Sequence, residues 1–368
     1  MRRLYFLGLA SGIKGTWRYV FTRGNAGDIQ ALTKYLAMRY SGEAVATKNG
    51  RSALALALKA YFKKGDRILV NGFTCYAVIE AVEAAGCVPV YADIETETLN
   101  FSVETLSRMV DGCRGVIIQN TMGNPVDIEA IEKFAQKNKL IIIEDLAHSV
   151  GVRYKNGREA GTIGAATVLS FGKDKSVDTV SGGALIYRHP CKGRVKALEA
   201  HPHKSEILRA RWYPLFGRIA RGLTRVRLGG IFMRMLVRIH FVEKSADNRL
   251  DIECSIAPYQ AKLALPQVKL LEKPQGRIRD YTFVRDRAKL LAELKAAGYY
   301  FDAFWYERPV SPERYYKKVD FPEKDCPVAV EAARTIINIP KYCSKQELAT
   351  AWRIIRRYEI THEAKEGK

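Results

Sequence analysis

The chain is poor in cysteine: seven in 368 residues, with no C-x-x-C pair and no metal-ligand spacing. This argues against a disulfide framework and a zinc site; the scattered cysteines fit a reducing compartment, and no metal is expected. Long apolar runs are missing too. None reaches the roughly 18–20 residues of a membrane-spanning helix. Met1-Arg2-Arg3-Leu4-Tyr5-Phe6-Leu7-Gly8-Leu9-Ala10 has some features of a signal peptide, but its apolar stretch soon gives way to Lys14, Arg18 and Arg23. A cytoplasmic protein is therefore expected rather than a secreted one. Acids are also scarce, with 39 Asp and Glu against 60 Lys and Arg, a formal net charge of +21. Such an excess points to nucleic acid, an anionic membrane face or an anionic substrate. No zinc-finger, RNP-like or homeodomain pattern accompanies it, so nucleic acid is not the expected partner. The excess is concentrated from Lys204 to Lys244, where ten Lys or Arg stand against Glu206 and Glu243.

The 47% hydrophobic content can bury a full core. Strand-like runs at 67–70, 88–92, 115–120, 140–143, 166–171 and 183–187 alternate over the first half with helical stretches at 52–63, 77–85, 103–110 and 127–137. That order predicts an α/β fold, a mostly parallel sheet with helices on both faces. After Tyr187 the pattern becomes helical: 207–242, then 251–271 with breaks near Pro258 and Pro266, then 279–296, 328–335 and 344–358. Ser344, three residues before Glu347, has capping-box spacing. The expected division is a large domain, 1–245, and a smaller α/β domain, 246–368.

Ligands of such a sheet gather beyond the carboxyl ends of its strands. Ile141-Ile142-Ile143-Glu144-Asp145 ends in acids, and Leu169-Ser170-Phe171-Gly172-Lys173-Asp174-Lys175 runs into a loop closed by Ser181-Gly182-Gly183. Alone, Asp145 reads equally well as a helix cap and Lys175 as a surface lysine. Together they are the minimum equipment for pyridoxal phosphate, which needs an amine for a Schiff base and a carboxylate at its pyridine nitrogen. Asn49-Gly50-Arg51-Ser52-Ala53-Leu54 opens a helix whose first N–H groups suit a phosphate, and Ser170 could add a hydroxyl. His148 alone reads as a structural histidine. His201 and His203, with no acid or cysteine clustered nearby, read as surface residues.

The order of these motifs resembles the DegT/DnrJ/EryC1/StrS family of sugar aminotransferases, fold-type I pyridoxal phosphate enzymes. The resemblance is carried by Gly50-Arg51-Ser52-Ala53-Leu54, Phe73-Thr74-Cys75-Tyr76-Ala77, Val90-Tyr91-Ala92-Asp93-Ile94 with Asn100, and Gly123-Asn124-Pro125-Val126-Asp127. It continues through Glu144-Asp145-Leu146-Ala147-His148, Ser170-Phe171-Gly172-Lys173-Asp174-Lys175 and Gly182-Gly183. It covers residues 43–188 and returns more weakly over 250–355, including Asn338-Ile339-Pro340. It implies that Lys175 carries the cofactor and shuttles a proton, that Asp145 pairs with the ring nitrogen, and that His148 lies near the phenolic oxygen. Gly50, Arg51, Ser52 and Ser170 would hold the phosphate. Where the family has a stacking aromatic this chain has Cys75, so Tyr76 is expected to substitute. The family's His before the Gly-x-Pro turn is Asn120 here.

The implied function is transamination of a nucleotide-linked keto sugar for amino-sugar and surface-polysaccharide synthesis, with glutamate as donor. A homodimer is implied, with Asp247-Asn248-Arg249 reaching the neighbouring site. The alternatives are a sugar dehydratase, in which histidine usually replaces the Schiff-base lysine, and a non-catalytic regulatory or nucleic-acid-binding relative. The basic stretch 204–244 alternates arginines with apolar residues at helical spacing. It fits either packing on the large domain or a dimer partner, or peripheral attachment to an anionic membrane face. The run Tyr299-Tyr300-Phe301-Asp302-Ala303-Phe304-Trp305-Tyr306 reads as hinge packing or as a substrate wall.

Overall fold

The expected alternation closes into a seven-stranded sheet. A computed structural model describes residues 13–188, 191, 195–196, 198–224, 228–242, 249–273, 277–299, 305–339 and 345–360. In chain order the strands are β1 (Glu43–Thr47), β2 (Arg67–Asn71), β3 (Thr74–Cys75), β4 (Val88–Ala92), β5 (Cys113–Ile118), β6 (Ile141–Asp145), β7 (Ala166–Ser170) and β8 (Gly183–Tyr187). They line up as β1-β8-β7-β6-β5-β2-β4, with β3 outside. From β7 to β4 the pairs are parallel, and β8 is antiparallel to both β7 and β1. β1 was not expected from the sequence. Its Glu-Ala-Val-Ala-Thr run is too short and too alanine-rich to declare itself, and it is fixed by pairing with β8.

Helices cover both faces. α1 (Ile13–Phe21) and α2 (Ala26–Arg39) precede the sheet; α3 (Gly50–Tyr61), α4 (Tyr76–Ala84), α5 (Val103–Ser107) and α6 (Ile128–Lys137) connect its strands. Ala53, Leu54, Leu58 and Ile79 of α3 and α4 fill the core on one face. Leu32, Leu36, Ile131 and Phe134 of α2 and α6 fill it on the other. The carboxyl ends of β5, β6 and β7 therefore share one edge, carrying Asn120, Asp145 and Ser170 there.

Beyond β8 come α7 (Lys204–Thr224), α8 (Gly229–Arg238) and α9 (Pro258–Leu270). α9 begins at Pro258, a favoured first helical position, and Pro266 lies inside it without ending it. Ala261, Ala264 and Val268 of α9 belong to the core of the large sheet, although α9 follows the expected 245/246 boundary. Next are β9 (Asp280–Phe283), α10 (Arg287–Ala296), β10 (Val310–Ser311), α11 (Glu313–Tyr316), α12 (Pro327–Thr335), β11 (Ile336–Ile339) and α13 (Lys345–Arg356). Residues 280–283, expected to be helical, are a strand. Tyr281, Thr282 and Phe283 are strand formers that pair with β11, and Asp286 caps α10 by accepting from the Lys289 N–H at 2.9 Å. Val284, Leu290, Leu294, Ile337, Ala351 and Ile355 make a separate small core there. Residues 1–12, Arg225, 243–248, 300–304, Pro340, Ser344 and 361–368 lie outside the described residues. Asp247-Asn248 and the capping-box Ser344 are among them. Among the described residues no helix is long and apolar enough to cross a membrane.

The first turn of α3 lies against β7 and β8. A Cβ on Gly183 would stand 2.6 Å from the Asn49 carbonyl carbon and the Gly50 nitrogen. Gly183→Ala must push backbone apart and is expected to cost about 1–3 kcal/mol in urea or thermal denaturation, the usual range for overpacking. Gly222→Ala, in α7 with nothing within 4 Å, is expected to be neutral or slightly stabilising.

Candidate active site

Asn49 starts α3. Its Oδ1 accepts from the Ser52 N–H at 2.8 Å and the Ser52 hydroxyl at 3.0 Å, and its Nδ2 donates to the Arg249 carbonyl. The Ser52 hydroxyl also accepts from the Asp251 N–H at 3.0 Å. Ser52 is therefore engaged in the cap and does not line the cavity at the end of the sheet, whereas Gly50 and Arg51 do. Arg51 directs Nη1 to Glu80 of α4 at 2.5 Å. A Cβ on Gly50 would stand 2.6 Å from the Ser170 Cβ. Only a bare glycine lets the helix start and the Ser170 hydroxyl meet at one point.

Strand alternation separates the two acids of β6. Glu144 accepts from the Tyr154 hydroxyl and the N–H groups of Gly161, Ile163 and Gly164, and so holds the β6–β7 connection together. Asp145 faces the cavity and accepts from the Ala147 N–H at 2.9 Å. Burial pushes its pKa up; the Ala147 N–H and the Lys175 charge pull it back.

After β7 the chain turns back. The Asp178 carboxylate accepts from the N–H groups of Val180 and Asp174, its N–H donates to Gln267 of α9, and Lys175 N–H donates to the Gly172 carbonyl. Burial raises Asp178 to about 7. The turn separates the two candidate lysines. Lys173 Nζ lies 3.9 Å over the ring of Tyr213 in α7, and Lys175 Nζ lies 4.6 Å over Trp305. Burial lowers the Lys175 pKa, countered by Cys75 and Asp145, with Arg279 lowering it further. A lowered pKa is what an amine nucleophile requires.

His148 is buried. Its Nδ1 accepts from the Met122 N–H at 3.2 Å, its Nε2 is 3.4 Å from the Tyr306 hydroxyl, and its ring stacks on Trp305 at 4.8 Å. Burial first, then the charges of Lys175 and Arg279, hold its pKa well below 6.5. A neutral ring accepting at Nδ1 carries its proton on Nε2.

These groups line a cavity of about 590 Å³. It contains Gly50, Arg51, Asp145, His148, Ser170 and Lys175. Tyr76 does not line it: the first residue of α4, it stacks instead on Tyr315 of α11 at 4.4 Å. Cys75, Trp305 and Tyr306 do line it. Trp305 and Tyr306 come from the segment before β10, so this end of the aromatic run is a cavity wall; its middle lies outside the described residues. Arg279 was not expected near this site. Its guanidinium is 3.8 Å over Trp305 and reaches Asp174 at 3.4 Å. No motif marks it, because β9 is recognisable only through its pairing. Also unexpected is the outer wall, built by Glu206, Ile207, Arg209, Ala210 and Tyr213 of α7.

The donor set fits pyridoxal phosphate. Lys175 and Asp145 face one cavity, and the Gly50–Ser170 contact makes a cradle at a helix N-terminus that a single Cβ would fill.

Residues 29–218, just over half of the chain, match the DegT/DnrJ/EryC1/StrS aminotransferase family. The chain belongs to this family. A GDP-perosamine synthase from Escherichia coli O157:H7 is 30% identical over 177 residues, covering 47% of each protein. The chain spans less than half the length of the curated relatives it matches. A putative sugar aminotransferase from Streptococcus pneumoniae, solved in its PMP form, superposes with a TM-score of 0.68 at 17% identity, covering 96% of this chain and 98% of that one. An aminotransferase of the same family from Brucella abortus gives 0.64 at 20% identity and 91% of each chain. At these identities the superpositions establish the fold.

The buried neutral His148 makes a testable demand. Below about pH 6.5 the unfolded chain takes up a proton on this ring that the folded chain refuses, so stability falls as pH falls through that value. His148→Gln removes this contribution. The drop in Tm between about pH 7.5 and about pH 5.5 is expected to be smaller in the variant. Equal drops would show that the ring is protonated in the fold.

Proposed function

We propose that this protein is a pyridoxal phosphate-dependent aminotransferase. It transfers an amino group, with L-glutamate as donor, to a keto sugar carried on a nucleoside diphosphate for amino-sugar and surface-polysaccharide synthesis. The observation that carries the reading is a lysine of lowered pKa facing the same cavity as a buried carboxylate at the end of a parallel sheet. When bound, the cofactor supplies an electrophilic carbon and a conjugated ring that withdraws electrons. Lys175 Nζ would hold the cofactor through that carbon and would carry a proton at the substrate carbon. Asp145, as carboxylate, would face the ring nitrogen and favour its protonated form. His148, fixed through Nδ1 by the Met122 N–H, offers Nε2–H to an oxygen in the cavity. The Gly50–Arg51 turn and Ser170 would hold the phosphate. Support for a nucleotide-linked sugar comes from the name of the Escherichia coli relative. The charge of +21 suits a diphosphate.

Purified enzyme is expected to show the visible absorption of lysine-bound cofactor, and Lys175→Ala to lose both that band and all transamination. Full activity in Lys175→Ala would overturn the assignment and leave Lys173 as the next candidate. Adding L-glutamate is expected to shift the cofactor band into the near ultraviolet, because a transaminase stores the amino group on its cofactor. No shift with any amino acid would favour dehydration instead.

The functional unit we propose is a homodimer in the cytoplasm, at the inner face of the membrane through 204–244, with the segment around Arg249 contributing across the subunit boundary. Within one protomer the Arg249 carbonyl accepts from Asn49 at the helix start, while its side chain is exposed to a neighbour. Sedimentation at micromolar concentration is expected to give a dimer. A fully active monomer would rule it out.

A further inference from the structure

α1, α7 and α8 lie side by side, α7 in the middle. Their sequences hold nine Lys or Arg and one acid, Glu206, which is 2.8 Å from Lys48 Nζ. We propose that this layer is a docking surface for an anionic phospholipid bilayer, an inference that rests on the membrane-face location given above and names its contact residues.

The inward sides of the three helices are already occupied. Arg211 Nη1 donates to the Val20 and Thr22 carbonyls at 2.8 Å, and Arg218 Nε donates to the Thr16 hydroxyl at 2.5 Å, fastening α1 to α7. Phe216 of α7 packs against Phe232 of α8 and Phe241 just beyond it. Ile207, Ala210 and Tyr213 pack on the Tyr19–Val180–Tyr259 cluster. The layer is thus held in place without its outward residues.

Those outward residues are large and apolar at i, i+4 spacing. α1 exposes Trp17 and Phe21, stacked at 5.6 Å. On α8 and just beyond it, Ile231, Met235 and Ile239 are 54%, 50% and 59% exposed. Arg18, Arg234 and Arg238 are exposed on the same helices. Aromatic and aliphatic side chains beside arginines suit the boundary between headgroups and acyl chains. A second copy suits this face poorly. A two-fold interface sets the same patch against itself, and here Arg234 and Arg238 would meet their own like charges with no acid from α8 between them. Anionic headgroups supply the missing negative charge. Because α7 also walls the cavity through Arg209 and Tyr213, docking holds the cavity beside the bilayer.

The test is co-sedimentation of holoenzyme with vesicles of phosphatidylcholine alone and with added phosphatidylglycerol, at low and high salt. Binding to the anionic vesicles at low salt, weakened by salt, is expected. Arg234→Gln with Arg238→Gln should weaken it about 30-fold, at about fivefold per cation. Ile231→Ser with Met235→Ser should weaken it at unchanged charge. Both variants should keep wild-type transamination of a soluble substrate, so a docking failure is distinct from a failure of the catalytic reading. Equal recovery with both vesicle types, or none with either, would overturn the proposal. So would loss of dimer in either variant by sedimentation velocity, which would assign the face to a second copy.

Discussion

The site depends on how closely the first turn of α3 approaches the ends of β7 and β8. Gly50 and Gly183 have no Cβ at the two points where helix and sheet would otherwise collide. The contact brings the helix N-terminus, with its unpaired N–H groups and positive dipole end, up to Ser170 at the end of β7. Asn49 fixes the turn from below by capping Ser52 and holding Arg249. The loop carrying Lys175 leaves β7 immediately beyond, and β8 returns beside it. The proposed phosphate cradle and the lysine are thus positioned by the same strand end.

The second constraint is electrostatic. Lys175, Arg279 and His148 gather around the indole of Trp305, with Asp145 and Asp174 as the nearby acids. Burial disfavours every charge there, and the like charges disfavour one another. The result is an amine with a lowered pKa, a neutral imidazole and a carboxyl with a raised pKa in one cavity. The first two suit a nucleophile and a fixed hydrogen-bond donor, and a cationic ring nitrogen beside Asp145 would favour its carboxylate form. Trp305 offers its π face to two cations, which partly offsets their removal from water.

α7 joins the site to the molecular surface. One side walls the cavity and bonds α1, and its neighbour α8 exposes an apolar and basic face. Among the described cysteines, Cys75 alone lines the cavity.

Much of this was legible in the chain itself. Strong apolar runs marked β2, β4, β5, β6, β7 and β8, because strands buried on both faces must be continuously hydrophobic. Asp145, Ser170 and Lys175 could be read as convergent because parallel strands present their carboxyl ends to one edge. The sequence also determined the basic helices after β8, through their apolar spacing. It did not determine β1, β9 or β11, whose short runs become strands only when paired. Nor did it fix the use of each polar side chain. Ser52 went to a helix cap and Tyr76 to a stack on Tyr315, because side-chain partners depend on contacts between distant segments. Arg279 and Trp305 entered the site for the same reason. Each lies more than 100 residues beyond Lys175, and only tertiary packing, which follows from shape and burial rather than local pattern, brings them there.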